Sequence, residues 1–169
     1  MGRYQEKITY SRLREVLDYN EHTGVFKWKV PSGNRCKIGV ELKPSASTKY
    51  LLITIDGRTY RAHRLAWLYV HKTLPDYLID HIDGNTHNNA ISNLRQADRI
   101  TNGYNSKLRK DSKTGIKGVT WDSRRGKYRV TIVVNKVQIH LGRYSDIELA
   151  TLVSEEARAK LHKEFCRYE

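Results

Sequence analysis

The stretch from Leu78 to Asn105, LIDHIDGNTHNNAISNLRQADRITNGYN, constrains this chain more than any other. Asp80 and His81 close a short apolar run, Tyr77-Leu78-Ile79, and Asp83-Gly84-Asn85 reads as a turn. An asparagine-rich piece with Asn88, Asn89 and Asn93 follows, and Leu94-Arg95 leads into a helical stretch carrying Asn102. A histidine is the usual general base near neutral pH, provided one ring nitrogen faces the substrate and the other is held. Asn93 is a candidate for that holding partner. The Asp80 carboxylate and the Asn102 amide are hard oxygen donors of the kind Mg²⁺ accepts. One base beside one oxygen-ligated divalent ion suffices to hydrolyse a phosphodiester. A calcium loop does not fit: with Gly84 at its sixth position, Ile79 and Ala90 occupy the first and twelfth, where carboxylates are needed.

Asp-His, then Asp-Gly-Asn, then Asn-Asn-x-x-x-Asn-Leu-Arg and a helical Asn resemble the HNH endonuclease motif. The resemblance implies a ββα-metal fold, also called a His-Me finger: a β-hairpin and a helix clamped on one ion. It implies His81 as general base, Asn93 as the residue orienting it, and Asp80 and Asn102 as ligands of Mg²⁺, for which Mn²⁺ is expected to substitute. Arg95 is a candidate for holding the scissile phosphate, with a structural ion pair as the equal alternative. Many such proteins also carry zinc on cysteine pairs. Here the only cysteines are Cys36 and Cys166, which make neither a zinc site nor a disulfide framework, so no zinc is expected.

Ahead of the motif, residues 9–19 (TYSRLREVLDY) read as a short helix with Leu13, Val16 and Leu17 on one face. Asn20 to Gly24 reads as a turn, and Phe26, Trp28 and Val30 alternate with Lys27 and Lys29 as in a half-buried strand. Residues 31–49 form a long polar loop whose Arg35, Lys37, Lys43 and Lys49 suit either DNA phosphates or a solvated surface. Asp56-Gly57 joins two strand-like runs as a hairpin. His63 to His71 reads as a helix with Leu65, Leu68 and Tyr69 inward, and His63 is expected to pack or cap.

The formal charge of +13 and a pI of about 9.8 favour a polyanionic partner. The bias peaks after Asn105, where Lys107, Arg109, Lys110, Lys113, Lys117, Arg124, Arg125, Lys127 and Arg129 stand against Asp111 and Asp122. Such density predicts counterion release and steep salt dependence on DNA. No apolar run approaches the length of a membrane span, and MGRYQEKITY has neither a signal core nor, with Glu6, a myristoylation pattern. A cytoplasmic protein is the expectation.

Residues 116–169 read as three strands and a helix, the helix opened by a capping box at Ser145-Asp146-Ile147-Glu148 and facing inward through Ile147, Ala150, Val153, Ala157 and Leu161. Tyr128, Val130 and Ile132 are expected beneath the helix. Arg129, Thr131, Gln138 and His140 are expected on the open face, where a sheet lays side chains into a major groove. Lys117-Gly118-Val119, Gly126-Lys127-Tyr128 and His140-Leu141-Gly142 resemble the AP2 DNA-binding domain. His140 stands where plant AP2 domains usually have Trp, and the first-strand arginines are mostly replaced, as at Thr120.

The expected whole is α+β: a nuclease part over 1–106, a basic linker over 107–113 and an AP2-like part over 114–169. Its expected function is a metal-dependent endonuclease on double-stranded DNA, monomeric or weakly dimeric, nicking through one active site. The pairing resembles HNH-AP2 proteins of phages and mobile elements, homing endonucleases among them. The alternative is a non-catalytic DNA-binding regulator. An RNA-directed protein is disfavoured, because no sheet face is rich in the aromatics that stack single-stranded bases.

Overall fold

A computed structural model describes residues 8–31, 37–108 and 110–165, apart from the side chain of residue 164. Arg35, Cys36, Arg109 and Cys166 lie outside the described residues. The chain packs as two units, Met1–Gln96 and Ala97–Glu169.

In the first unit, helix α1 (Tyr10–Val16) starts at Thr9, whose hydroxyl accepts from the Arg12 N–H. It is shorter than its apolar spacing predicts. Leu17–Asn20 leaves the helix as strand β1 and pairs antiparallel with β2 (Val25–Trp28), Tyr19 opposite Phe26. Leu17 serves either period, and tertiary pairing decides for the strand, because only an alternating backbone buries Leu17 and Tyr19 together while exposing Asp18. The Asn20 side chain closes the turn by accepting from the His22 and Thr23 N–H groups.

Strands β3 (Leu52–Ile55) and β4 (Arg58–Arg61) form the expected hairpin, with Asp56 and Gly57 both at positive φ. Arg12 grips Asp56 through two 2.9 Å hydrogen bonds and so ties α1 to the hairpin turn. Helix α2 (Ala62–His71) follows directly and buries Leu65, Ala66 and Leu68, with Tyr69 partly covered. Strands β5 (Leu78–His81) and β6 (Leu94–Ala97) then pair with each other. Leu13, Leu17, Phe26, Leu65 and Leu94 share one core, with Tyr19 set against Phe26 and Tyr69.

The second unit begins with helix α3 (Arg99–Tyr104), capped by Asp98 in a reciprocal box with Thr101. The division therefore falls ahead of the 106/107 boundary suggested by charge. The reason lies in Tyr104: its ring stacks on His162 at 3.8 Å, and its hydroxyl accepts from the Asn135 N–H. Strands β7 (Val119–Asp122), β8 (Lys127–Val134) and β9 (Val137–Tyr144) form one antiparallel sheet in chain order.

Helix α4 (Ile147–His162) packs on this sheet over Val119 and Val130. Of the predicted inward residues Ala150 is buried and Val153 packs against the core, while Ile147 and Leu161 stay exposed and Ser154 and Arg158 are buried in addition. Small side chains let the helix sit close, and Ser154 donates to the Lys117 carbonyl at 2.6 Å. Asp146 is the cap in place of Ser145, accepting from the Glu148 N–H. Val130 and Ile132 are buried as expected, while Val137 and Ile139 of β9 are exposed. No helix among the described residues is long and apolar enough to cross a membrane.

Candidate active site

His81 ends β5 with only 4% of its surface exposed. Its Nε2 lies 3.4 Å from the Asn89 Oδ1, a contact that holds the ring when Nε2 carries the proton and Nδ1 is the basic nitrogen. Burial pushes the imidazole pKa below its ordinary value, partly offset by the Asn89 hydrogen bond and by the Asp83 and Asp80 charges. The shift favours the neutral, basic form of the ring.

Asn89 is itself fixed from behind. It is 1% exposed, its amide donates to the His87 carbonyl, and its own carbonyl accepts from the Tyr19 hydroxyl at 2.7 Å. Ile91 N–H donates to the Glu21 carbonyl alongside. Gly24, at φ +73°, lies so close that an added Cβ would sit 2.3 Å from the Ala90 nitrogen. The β1–β2 turn thus seats the asparagine loop that holds the ring.

The Asn93 side chain is engaged in the turn that follows His81. Its amide donates to the Asp83 Oδ1 and the Asn88 carbonyl, and its Oδ1 accepts from the Asp83 N–H. Asn88 donates to the other Asp83 oxygen at 2.8 Å. Asn93 sits at the base of the loop, where it locks the Asp83–Asn88 turn, and the Asn89 Oδ1 accepts from the His81 ring. Burial raises the Asp83 pKa, but the hydrogen bonds from Asn88, Asn85 and Asn93 outweigh it and hold the carboxyl below the usual range.

Asp80 is buried and its Oδ2 accepts from Arg95 Nε at 3.0 Å and Nη2 at 2.9 Å. Of the two roles open to Arg95, the structure displays the ion pair. A carboxylate offers about four lone-pair sites, so an Asp80 oxygen can serve an ion while Arg95 orients the carboxylate. Asn102 is exposed on α3 in the second unit. Among the described residues no three His, Cys, Asp or Glu side chains gather to hold a metal. The Asp80 carboxylate is a hard oxygen donor of the kind that a divalent ion retaining most of its waters accepts.

His63, in the first turn of α2, packs edge-on to His81 at 5.1 Å and lies against Tyr50 at 5.2 Å. It is buried, and its Nδ1 has no hydrogen-bond partner among the described residues. Burial, with the charges of His81, Arg61 and Arg64, lowers its pKa to about 3. The unfolded chain binds this proton near pH 6.5 and the folded chain does not. Stability present above about pH 6.5 is therefore lost as pH falls towards 3, by at most about 1.4 kcal/mol per pH unit. Urea unfolding of His63→Leu is expected to show a shallower loss between pH 6.5 and 4.5 than the native chain. An identical pH slope would mean that His63 is protonated in the folded state.

In the second unit the register aligns Thr120, Arg129 and Arg143 across the sheet, then Thr131 with His140 and Val133 with Gln138. Arg129, Thr131, Gln138 and His140 thus share the face opposite Val130, as expected. Arg143 belongs to the same face and is legible only from the pairing; it donates to Asp122 at 3.1 Å and lies 3.2 Å from His140 Nε2. Lys107, Lys110, Arg124, Arg125 and Lys127 are exposed, while Lys117 is half-buried. An open groove of about 930 Å³ in the second unit is lined by Arg99, Lys107, Lys113, Lys117 and Lys136 among others.

Residues 60–104 match the HNH endonuclease family. The chain is 35% identical to Protein 3.8 of Escherichia phage T7 over 109 residues, which cover 64% of this chain and 89% of that protein. No solved structure matches.

Proposed function

Since the chain belongs to the family of Protein 3.8 of Escherichia phage T7 and carries an HNH endonuclease domain over residues 60–104, we propose that it is a metal-dependent endonuclease acting on double-stranded DNA. The observation that carries this reading is a buried imidazole, His81, held by Asn89 next to the oriented carboxylate of Asp80.

His81 takes a proton from the attacking water through its basic ring nitrogen. Asn89 fixes the plane of the ring, and Asn93 keeps the loop behind it from relaxing. Asp80, whose carboxylate Arg95 sets, is the proposed ligand of a divalent ion, Mg²⁺ or Mn²⁺, and Asn102 on α3 is a further candidate donor. When bound, the ion supplies charge that stabilises the crowded phosphate and the leaving oxygen. One such site cuts one strand, so a monomer nicks.

The second unit is the proposed DNA-holding part, and its resemblance to AP2 domains assigns contacts to the open face. Among the described residues Arg129 on that face has no carboxylate partner. Arg129→Ala is expected to weaken duplex binding by about 1–3 kcal/mol if the side chain reads a base edge, with relaxed sequence preference. If it contacts a phosphate, the salt slope falls by about one instead. Unchanged affinity, preference and slope would remove the open face from the interface.

The direct test is relaxation of supercoiled plasmid in Mg²⁺, with and without EDTA, by the native chain and by His81→Ala. Metal-dependent nicking lost in the variant supports the reading. Tight, salt-sensitive binding with no cutting in any divalent ion would favour the regulator.

A further inference from the structure

Resting on the endonuclease reading, we infer that Lys49 and Arg61, gathered on the Tyr50 ring beside His81, form a phosphate-binding wall that seats the DNA strand against the general base.

The segment before β3 is fastened to the active-site loop from two sides. The Thr86 hydroxyl donates to the Lys49 carbonyl, and His87 Nε2 lies 3.3 Å from the Thr48 carbonyl. Beyond Tyr50, the Leu51 carbonyl accepts from the Ala62 N–H where β4 meets α2. These ties place the Tyr50 ring 6.3 Å from the His81 ring and 5.2 Å from that of His63.

Two cations come to this ring. The Arg61 Cζ lies 5.0 Å from its centroid and the Lys49 Nζ 5.4 Å. A tyrosine face attracts cations but leaves their charge in place. Arg61 stands at the N-cap of α2 yet makes no side-chain cap hydrogen bond. Among the described residues neither cation pairs with a carboxylate, whereas Arg12 is matched by Asp56 and Arg95 by Asp80. Both side chains are exposed. Two like charges brought to one ring, one aromatic side chain away from the base, call for an anion between them and solvent. The phosphodiester oxygens of the strand to be cut are that anion.

The test uses the full chain with Lys49→Gln, Arg61→Gln, the double substitution, and the charge-keeping Lys49→Arg and Arg61→Lys. Duplex affinity against salt is read in a His81→Ala background, which binds without cutting. Nicking is read with His81 intact. Each loss of charge is expected to lower the salt slope by about one and the double by about two. Nicking kcat/KM is expected to fall on the order of tenfold per cation, with a smaller change at saturating DNA. The charge-keeping variants are expected to retain both. A double variant with the native slope and native kcat/KM overturns the inference and leaves the endonuclease reading standing. A loss shared by the charge-keeping variants also overturns it, because it assigns the effect to folding. If the native chain nicks in no divalent ion, the endonuclease reading falls, and the salt slope still decides the phosphate wall.

Discussion

His81→Ala is expected to lower plasmid nicking by a factor on the order of 10²–10⁴ while leaving duplex affinity within about threefold of native. The size follows from the role: removing a positioned base leaves water with no acceptor for its proton. Binding survives because the cations proposed to hold the strand lie on other elements, Lys49 and Arg61 in the first unit and Arg129 in the second. The pH profile provides a second readout. Burial holds the His81 pKa below its ordinary value, so the native rate should fall only when acid protonates the ring below the usual histidine range. The base is lost as pH falls and present as it rises, so the limb lies on the acid side. Native-rate nicking by His81→Ala would end the base assignment.

Gly24→Ala is expected to cost more than about 3 kcal/mol of stability and most of the activity that remains at temperatures where the variant is folded. Two costs combine there. The residue sits at φ +73°, which costs an L-residue about 1–2 kcal/mol. The new Cβ would also meet the Ala90 nitrogen at 2.3 Å and the Asn89 carbonyl carbon at 2.4 Å. Both are backbone atoms, so the clash cannot be relieved by turning a side chain. The loop must move, and it carries the amide that holds His81. Gly57→Ala is the control: its φ is +75°, but nothing lies within 4 Å of the added carbon, so only the conformational cost applies. Urea unfolding and nicking of the two variants together make the comparison. Equal stability of both would show that the β1–β2 turn does not bear on the asparagine loop.

Local chemistry was largely readable along the chain. The β3–β4 hairpin followed from Asp56-Gly57, α2 from its apolar spacing, and the open face of the second sheet from alternation about Val130. Each of these depends on neighbours in sequence or on a single period. The boundary between α1 and β1 is not legible in the sequence, because Leu17 fits both a helical face and a strand, and only pairing with Trp28 separates them. The inward face of α4 is legible only in part: Ala150 follows from the spacing, but close approach to the sheet leaves Ile147 and Leu161 exposed and buries Ser154 instead.

By itself the sequence determined which groups are available for chemistry: the Asp80-His81 pair, the asparagines after it, and the dense positive charge that follows. It did so because motif order and charge are properties of the chain. What holds those groups was decided by the tertiary structure. Asn89 meets the ring while Asn93 ties the turn behind it; Tyr19 and Gly24 brace Asn89 from far earlier in the chain; Arg95 is committed to Asp80; and Tyr50 gathers Lys49 and Arg61 beside His81. These contacts join residues distant in sequence. No periodicity encodes them, and they exist only once the hairpins and α2 have closed around a common core.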